Sequence, residues 1–380
     1  MNISLTQKNN HSTDKLLLLF CVLILIYFFR LAWISPASAD TWTHLAIGKW
    51  VATQHKIPSH DDISIKQVEP SLEWISHSWL TDTLMYLSAV DSPKKGALLF
   101  ALPVSTLALY LLYKILKLFH VSNTLLIVSL GISTIMMGSF WHLHPYIVLP
   151  PLLLGMLLSY LHGVLHDKKS LWFLPLLFLI TANMSGGIIA VPLFWLGLTV
   201  IIEILTGLYT KKYAKTFLFV ILLSVCATIL NPYGIRLWSY ILTMIGVLQI
   251  KQWYTALPGL LLLVNQNTLR ESPSSLYFFL YGGFSTLLVS GLFFGIVRTS
   301  ILKNHLALLL LPTLIYGLLG WVFVRFIPIS FLLLTPLFIL LVIHLCSLIS
   351  RNKIIVIESL TLFFTLCLFV FFTIFPVQNL

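Results

Sequence analysis

Six polar residues are of types that could do acid–base, ligand or phosphate chemistry: Asp40, His44, Asp61, Asp62, His77 and Arg325. Five of them fall within residues 37–95, which hold seven of the twelve acidic residues, four of the twelve histidines and four of the eleven tryptophans of the chain. Asp40 and His44 are spaced to share one face of a helix, and Gly48 a turn further on would leave room for a ligand. A carboxylate there could take a proton from a reacting hydroxyl, and Asp40, His44 and Asp61 together could hold a divalent metal ion. Each residue also has a plainer reading. Asp40 stands where a helix would begin, and aspartate is among the best N-caps. Asp61 and Asp62 follow Pro58 in a composition that makes a turn. His44, His77 and Trp79 would also suit a membrane surface. No Asp-x-Asp pattern occurs in the interval, which leaves metal dependence open. Arg325, beside Phe326 and Pro328, would either snorkel to lipid headgroups or bind a phosphate.

The rest of the chain must position these groups, and it is built almost wholly of apolar runs. Of its 380 residues 58% are hydrophobic and 9% charged, whereas a soluble domain carries about 25% charged residues. The runs approach or exceed the roughly 20 residues that cross a bilayer as helix, and none alternates like a barrel strand. The expected fold is therefore all-α: a single integral membrane domain over residues 1–380 with about eleven spans. They are placed at 16–34, 96–113, 121–140, 146–165, 171–185, 187–208, 216–231, 276–297, 304–324, 327–349 and 354–375. Residues 235–250 read as a further crossing or as a re-entrant or interfacial helix.

Charge orients this arrangement, because lysine and arginine collect in cytoplasmic loops. With the N-terminus inside, the inner segments hold thirteen of the twenty-three basic residues against two acids, Asp14 and Asp167. Residues 37–95 then form a large extracytoplasmic loop. The net charge of +11 is a topology signal, and no basic patch interleaved with stacking aromatics points to nucleic acid. Within the loop, one helix is expected from Thr41 to about Gln54, stopped at Pro58. A second is expected from Glu73 to Val90, lying in the membrane surface on Leu80, Leu84 and Leu87 with Trp74 and Trp79 at headgroup depth. Cys21, Cys226, Cys346 and Cys367 lie inside apolar runs, as packing residues would. Ala37-Ser38-Ala39 has the form of a signal-peptide cleavage site, but the run before it is long for a signal core.

The order of several short segments resembles bacterial membrane glycosyltransferases of the GT-C superfamily. These are Asp40-Thr41-Trp42-Thr43-His44-Leu45, Gly48-Lys49-Trp50, Ile57-Pro58 through Asp61-Asp62-Ile63-Ser64, and Trp74 with His77-Ser78-Trp79-Leu80. Asn183-Met184-Ser185-Gly186-Gly187, Leu230-Asn231-Pro232-Tyr233-Gly234, Lys251-Gln252-Trp253 and Arg325-Phe326-Ile327-Pro328 follow. The resemblance implies an enzyme of the bacterial inner membrane that takes a sugar from a polyprenyl-phosphate carrier and places it on a glycan, lipid or protein acceptor at the outer face. It makes Asp40 the catalytic base. The sequence departs from that pattern at His144, Ser185 and Gln252.

Two other function classes remain open. A transporter or flippase of lipid-linked material would use the intramembrane acids Glu203 or Glu358 for coupling. A GT-C-like scaffold would keep the fold without the chemistry, in keeping with Ser185 and Gln252. No glycine-rich phosphate loop follows a predicted strand, so a nucleotide-driven pump is not indicated.

Overall fold

The computed structural model describes residues 11–34, 36–60, 74–138, 141–206, 211–247, 306–322 and 327–347. The regular structure among them is helical: α1 (His11–Ile34), α2 (Ala39–Gln54), α3 (Trp79–Ser88), α4 (Pro93–Leu118), α5 (Asn123–Gly138), α6 (Pro145–Leu165), α7 (Phe173–Met184), α8 (Ala190–Thr206), α9 (Lys211–Ile229), α10 (Arg236–Val247), α11 (Leu306–Val322) and α12 (Ile327–Ser347). Among the described residues three helices are long and apolar enough to cross a membrane, Asp14–Ile34, Pro93–Leu118 and Pro145–Leu165. Shorter apolar helices lie at most other expected spans, and 276–297 and 354–375 fall outside the described residues.

The chain divides into two compact units. The first comprises α1, the end of α4, α5, α11 and α12. Phe20, Ile24, Tyr27, Phe28 and Leu31 recur at helical spacing on the buried side of α1, while Leu18, Leu25, Phe29 and Trp33 stay exposed. A helix apolar on both sides suits a neighbour on one and hydrocarbon on the other. Cys21 and Cys226 are free and exposed, on α1 and on α9 in the second unit, so the packing role expected of them does not hold. In the first unit Phe28 stacks on Trp141 with ring centroids 5.7 Å apart. Gly138 lets α5 pass the Tyr27 ring, where a Cβ would overlap the hydroxyl. At the other end, Asn123 accepts from Lys117 Nζ at 2.9 Å and donates to Asp14 at 2.6 Å.

The second unit holds α2, α3, the start of α4 and α6 to α10. Tyr160 of α6 meets Trp195 of α8 edge-on at 5.5 Å and stacks on Phe217 of α9 at 5.7 Å. α2 crosses α3 at close range in this unit. A Cβ at Gly48 would overlap the Asp82 carbonyl oxygen and lie 2.8 Å from Tyr86 Cβ, so only glycine permits it. The helix expected over 73–90 is shorter, Trp79–Ser88, and its sidedness is the finding that matters. Leu84 and Leu87 are exposed, while Thr81, Asp82 and Met85 are buried. The leucine face is outward as expected, and the polar face is the one packed into protein.

Candidate active site

The first turn of α2 sets Asp40. Ser38, not Asp40, is the N-cap of this helix, and its N–H donates to Thr41 Oγ1 at 2.8 Å. Thr41 Oγ1 in turn donates to the Leu143 carbonyl at 2.7 Å, fully buried, and Leu143 N–H donates to Pro36 O at 2.9 Å. The start of α2 is thereby tied to the segment before α6 at both ends of a short span. The expectation that Asp40 caps the helix is corrected: the Ser38–Thr41 pair occupies the capping geometry. The Asp40 side chain is left 52% exposed, with Oδ2 3.9 Å from His144 Nε2.

His144 is buried and its ring is fixed. Its Nδ1 accepts the Tyr146 N–H at 3.2 Å, and its ring stacks on Tyr146 at 4.8 Å. A neutral His144 must then carry its proton on Nε2, the atom facing Asp40. The His44 ring meets His144 edge-on with centroids 4.9 Å apart, so the i, i+4 face of Asp40 and His44 is extended by a third side chain from a remote segment.

Behind His44 lies Asp82, which sequence reasoning passed over. It is fully buried, and His44 Nδ1 approaches its Oδ1 at 3.0 Å. The contact has ion-pair distance but lacks hydrogen-bond geometry, and neither atom has a hydrogen-bond partner. Asp82 Oδ2 accepts from Ser78 Oγ at 3.0 Å and from Ser76 Oγ at 3.4 Å. The sequence did hold a signal. Asp82 lies opposite the leucine face of α3, and when leucines face lipid the polar face has only protein to pack against.

His77 closes the cluster. Its carbonyl accepts the Gly186 N–H at 2.7 Å, a close approach that a side chain at 186 would crowd against Leu237. Its ring lies 5.8 Å from that of Tyr240, and its Nδ1 is buried without a partner. Burial pushes the imidazole below its ordinary range; the Asp82 charge opposes this and His44 adds to it. Trp79 donates its indole N–H to Asn183 Oδ1 at 3.3 Å. Thr81 Oγ1 donates to the Met184 carbonyl at 2.7 Å, so α3 is pinned to the end of α7 by two side chains.

The turn after α9 clamps the loop. Asn231 donates to the Thr228 and Gly234 carbonyls at 2.7 and 3.2 Å and accepts the Tyr233 N–H at 2.8 Å. Gly234 has φ +54°, a value glycine adopts at no steric cost. Tyr233 is thereby held with its hydroxyl donating to the Pro58 carbonyl at 2.8 Å and accepting the Ser76 N–H at 2.9 Å. Burial foremost raises that phenol to about 12, so it remains a donor. Trp74 N–H also bonds Ser59 O at 3.0 Å, bringing together the residues on either side of 61–73.

The structure thus gathers Asp40, His44 and His77 from the expected set and adds Asp82 and His144. Asp61, Asp62 and Arg325 lie outside the described residues, as do Gln252 and Glu358; Ser185 is buried at the end of α7. Among the described residues no three His, Cys, Asp or Glu side chains are grouped to hold a metal ion. The cluster can hold and pass protons beside a carboxylate open to solvent. No known protein family, curated protein or solved structure matches the chain.

Proposed function

We propose that this chain is a GT-C-like integral membrane glycosyltransferase that moves a sugar from a polyprenyl-phosphate carrier to an acceptor at the extracytoplasmic face. One observation carries the reading: segments scattered over the sequence, each part of the resembling pattern, interlock around Asp40 and His44. His77-Ser78-Trp79 bonds to Gly186 and Asn183, Thr81 two residues on bonds Met184, and Tyr233 holds Pro58 and Ser76. A pattern of stray matches has no reason to close on itself in this way.

In this reading about eleven spans carry the site, residues 37–95 face outward, and the donor enters from the lipid. Asp40 takes the acceptor hydroxyl's proton as the oxygen attacks the anomeric carbon. The bond from that carbon to the phosphate oxygen breaks, and its electron pair leaves with the phosphate, whose developing charge Arg325 would stabilise. The single displacement inverts the anomeric centre, through an oxocarbenium-like transition state.

The test is transfer in proteoliposomes, with polyprenyl-phosphate hexoses and pentoses labelled in the sugar and an envelope glycan and lipid extract as acceptor. Label should leave the carrier for the acceptor. Asp40→Asn should lower kcat by about 10²–10⁴-fold in protein that still folds. Movement of intact labelled carrier across the bilayer without transfer, unchanged by Asp40→Asn, would overturn the enzyme reading.

A further inference from the structure

Among the described residues, the side-chain groups within hydrogen-bond or ion-pair distance of the buried Asp82 carboxylate are two serine hydroxyls and one imidazole nitrogen. The hydroxyls of Ser76 and Ser78 both donate to Oδ2, which leaves Oδ1 to His44 Nδ1. Neither Oδ1 nor Nδ1 has a hydrogen-bond partner, and the two lie 3.0 Å apart, at ion-pair distance. A carboxylate is an acceptor only, and a buried one gains most from a donor. A lone pair on the nitrogen 3.0 Å from it would be repelled, so the nitrogen turned to the carboxylate is the one expected to carry the proton.

We infer that Asp82 is a positioning residue that fixes His44 as the Nδ1–H tautomer, leaving Nε2 with a lone pair, and that His44 receives the proton that Asp40 takes from the acceptor. The inference rests on the glycosyltransferase reading and adds where the proton goes. The acceptor oxygen forms its bond to the anomeric carbon, the phosphate leaves with the electron pair of the broken bond, and the proton moves from the hydroxyl to Asp40 and then to His44 Nε2. Asp40 is reset as a carboxylate before the next turnover. An orienting acid behind a histidine is a recurring device, because the wrong tautomer presents a donor where a base is needed.

The surroundings suit this role. The His44 side chain is 20% exposed, which lets the proton leave to solvent. The ionisable groups around it are Asp82 on α3, His144 before α6, His77 before α3 and Asp40, which lies one turn earlier on α2 and 3.9 Å from His144. His144 keeps Nδ1 occupied by the Tyr146 N–H, so it cannot accept a proton there without breaking that bond. Burial disfavours the charged form of His77. His44 is left as the ring placed to accept.

The experiment is nitrogen-15 NMR of the full chain labelled in its histidines, in lipid nanodiscs at neutral pH, with the His44 signals identified by their loss in His44→Gln. A neutral ring protonated on Nδ1 is expected. The Nε2–H tautomer, or an imidazolium through the neutral range, would overturn the inference in the unaltered protein, with no dependence on a variant that fails to fold. Asp82→Asn supplies the second arm. Its carbonyl keeps the place held by the two serine hydroxyls and its NH2 faces His44, so the tautomer should reverse. In the transfer assay the same variant should lower kcat by about 10²–10⁴-fold with KM unchanged, and the acid limb of its pH profile should move. Unaltered kcat in a variant with the reversed tautomer would overturn the proton-accepting role. Absence of transfer by the unaltered protein would instead overturn the enzyme reading, while the tautomer would still report on the pair.

Discussion

The two units differ in where the polar groups beside their helix contacts find partners. In the first, several hydroxyls turn back on their own helices, Ser129 to Leu125 O, Thr134 to Leu130 O and Thr335 to Phe331 O, while Ser330 reaches Tyr316 O at 2.6 Å and Ser133 lies 3.5 Å from Thr335. In the second, the polar groups around α2 and α3 reach across the sequence: Thr41 to Leu143, Thr81 to Met184, Trp79 to Asn183 and Tyr233 to Pro58. A bond to one's own helix costs nothing in arrangement and specifies nothing about neighbours. A buried bond between remote segments is satisfied in one arrangement only, and that arrangement holds the candidate site.

The contrast can be broken most forcefully at the crossing itself. Gly48→Val places atoms on the Asp82 carbonyl, and a loss of about 3 kcal/mol or more is expected, read as collapse of the unfolding transition in mild detergent. Asp82→Ala should come next, at about 3 kcal/mol, because it strands His44, Ser76 and Ser78. If it unfolds at the temperature of the unaltered chain, the buried network is not what fixes the second unit. Thr41→Val removes the tie to Leu143 and leaves a buried carbonyl unpaired, for about 1–2 kcal/mol.

The acid side of the stability profile sharpens the comparison further. His77 binds its proton more weakly folded than unfolded, so the unfolded chain holds more protons just below the ordinary value of 6.5. Stability is therefore whole above that value and is lost as pH falls from it through the depressed folded value. His77→Leu should flatten this fall in thermal scans across pH, and an unchanged slope would assign the acid sensitivity to another group. Smallest of all should be Thr335→Val in the first unit, within about 1 kcal/mol, since the Phe331 carbonyl keeps its own helical geometry. A larger loss there would erase the distinction between the units.

Composition and periodicity were enough to read helices of near-membrane length, and the Asp40–His44 spacing was enough to put both on one face of α2, because both follow from local rules of hydropathy and helical repeat. They were not enough for α3. Its leucines were read for what they face, while Asp82 on the other side, fully buried, went unread. Nothing in residues 73–90 alone says that the polar face meets Gly48 and His44, since that depends on a helix some thirty residues away in the chain crossing at glycine distance. His144 was legible only as a departure from a resembling pattern; its place beside Asp40 comes from the Thr41–Leu143 bond. The sequence by itself determined an all-helical, apolar chain with one polar interval and a pair of side chains on a shared face. Tertiary structure alone decided which acid is buried, which ring nitrogen faces it and which remote segments close around them, because a buried polar group is defined by its partner and a partner far along the chain leaves no periodic trace.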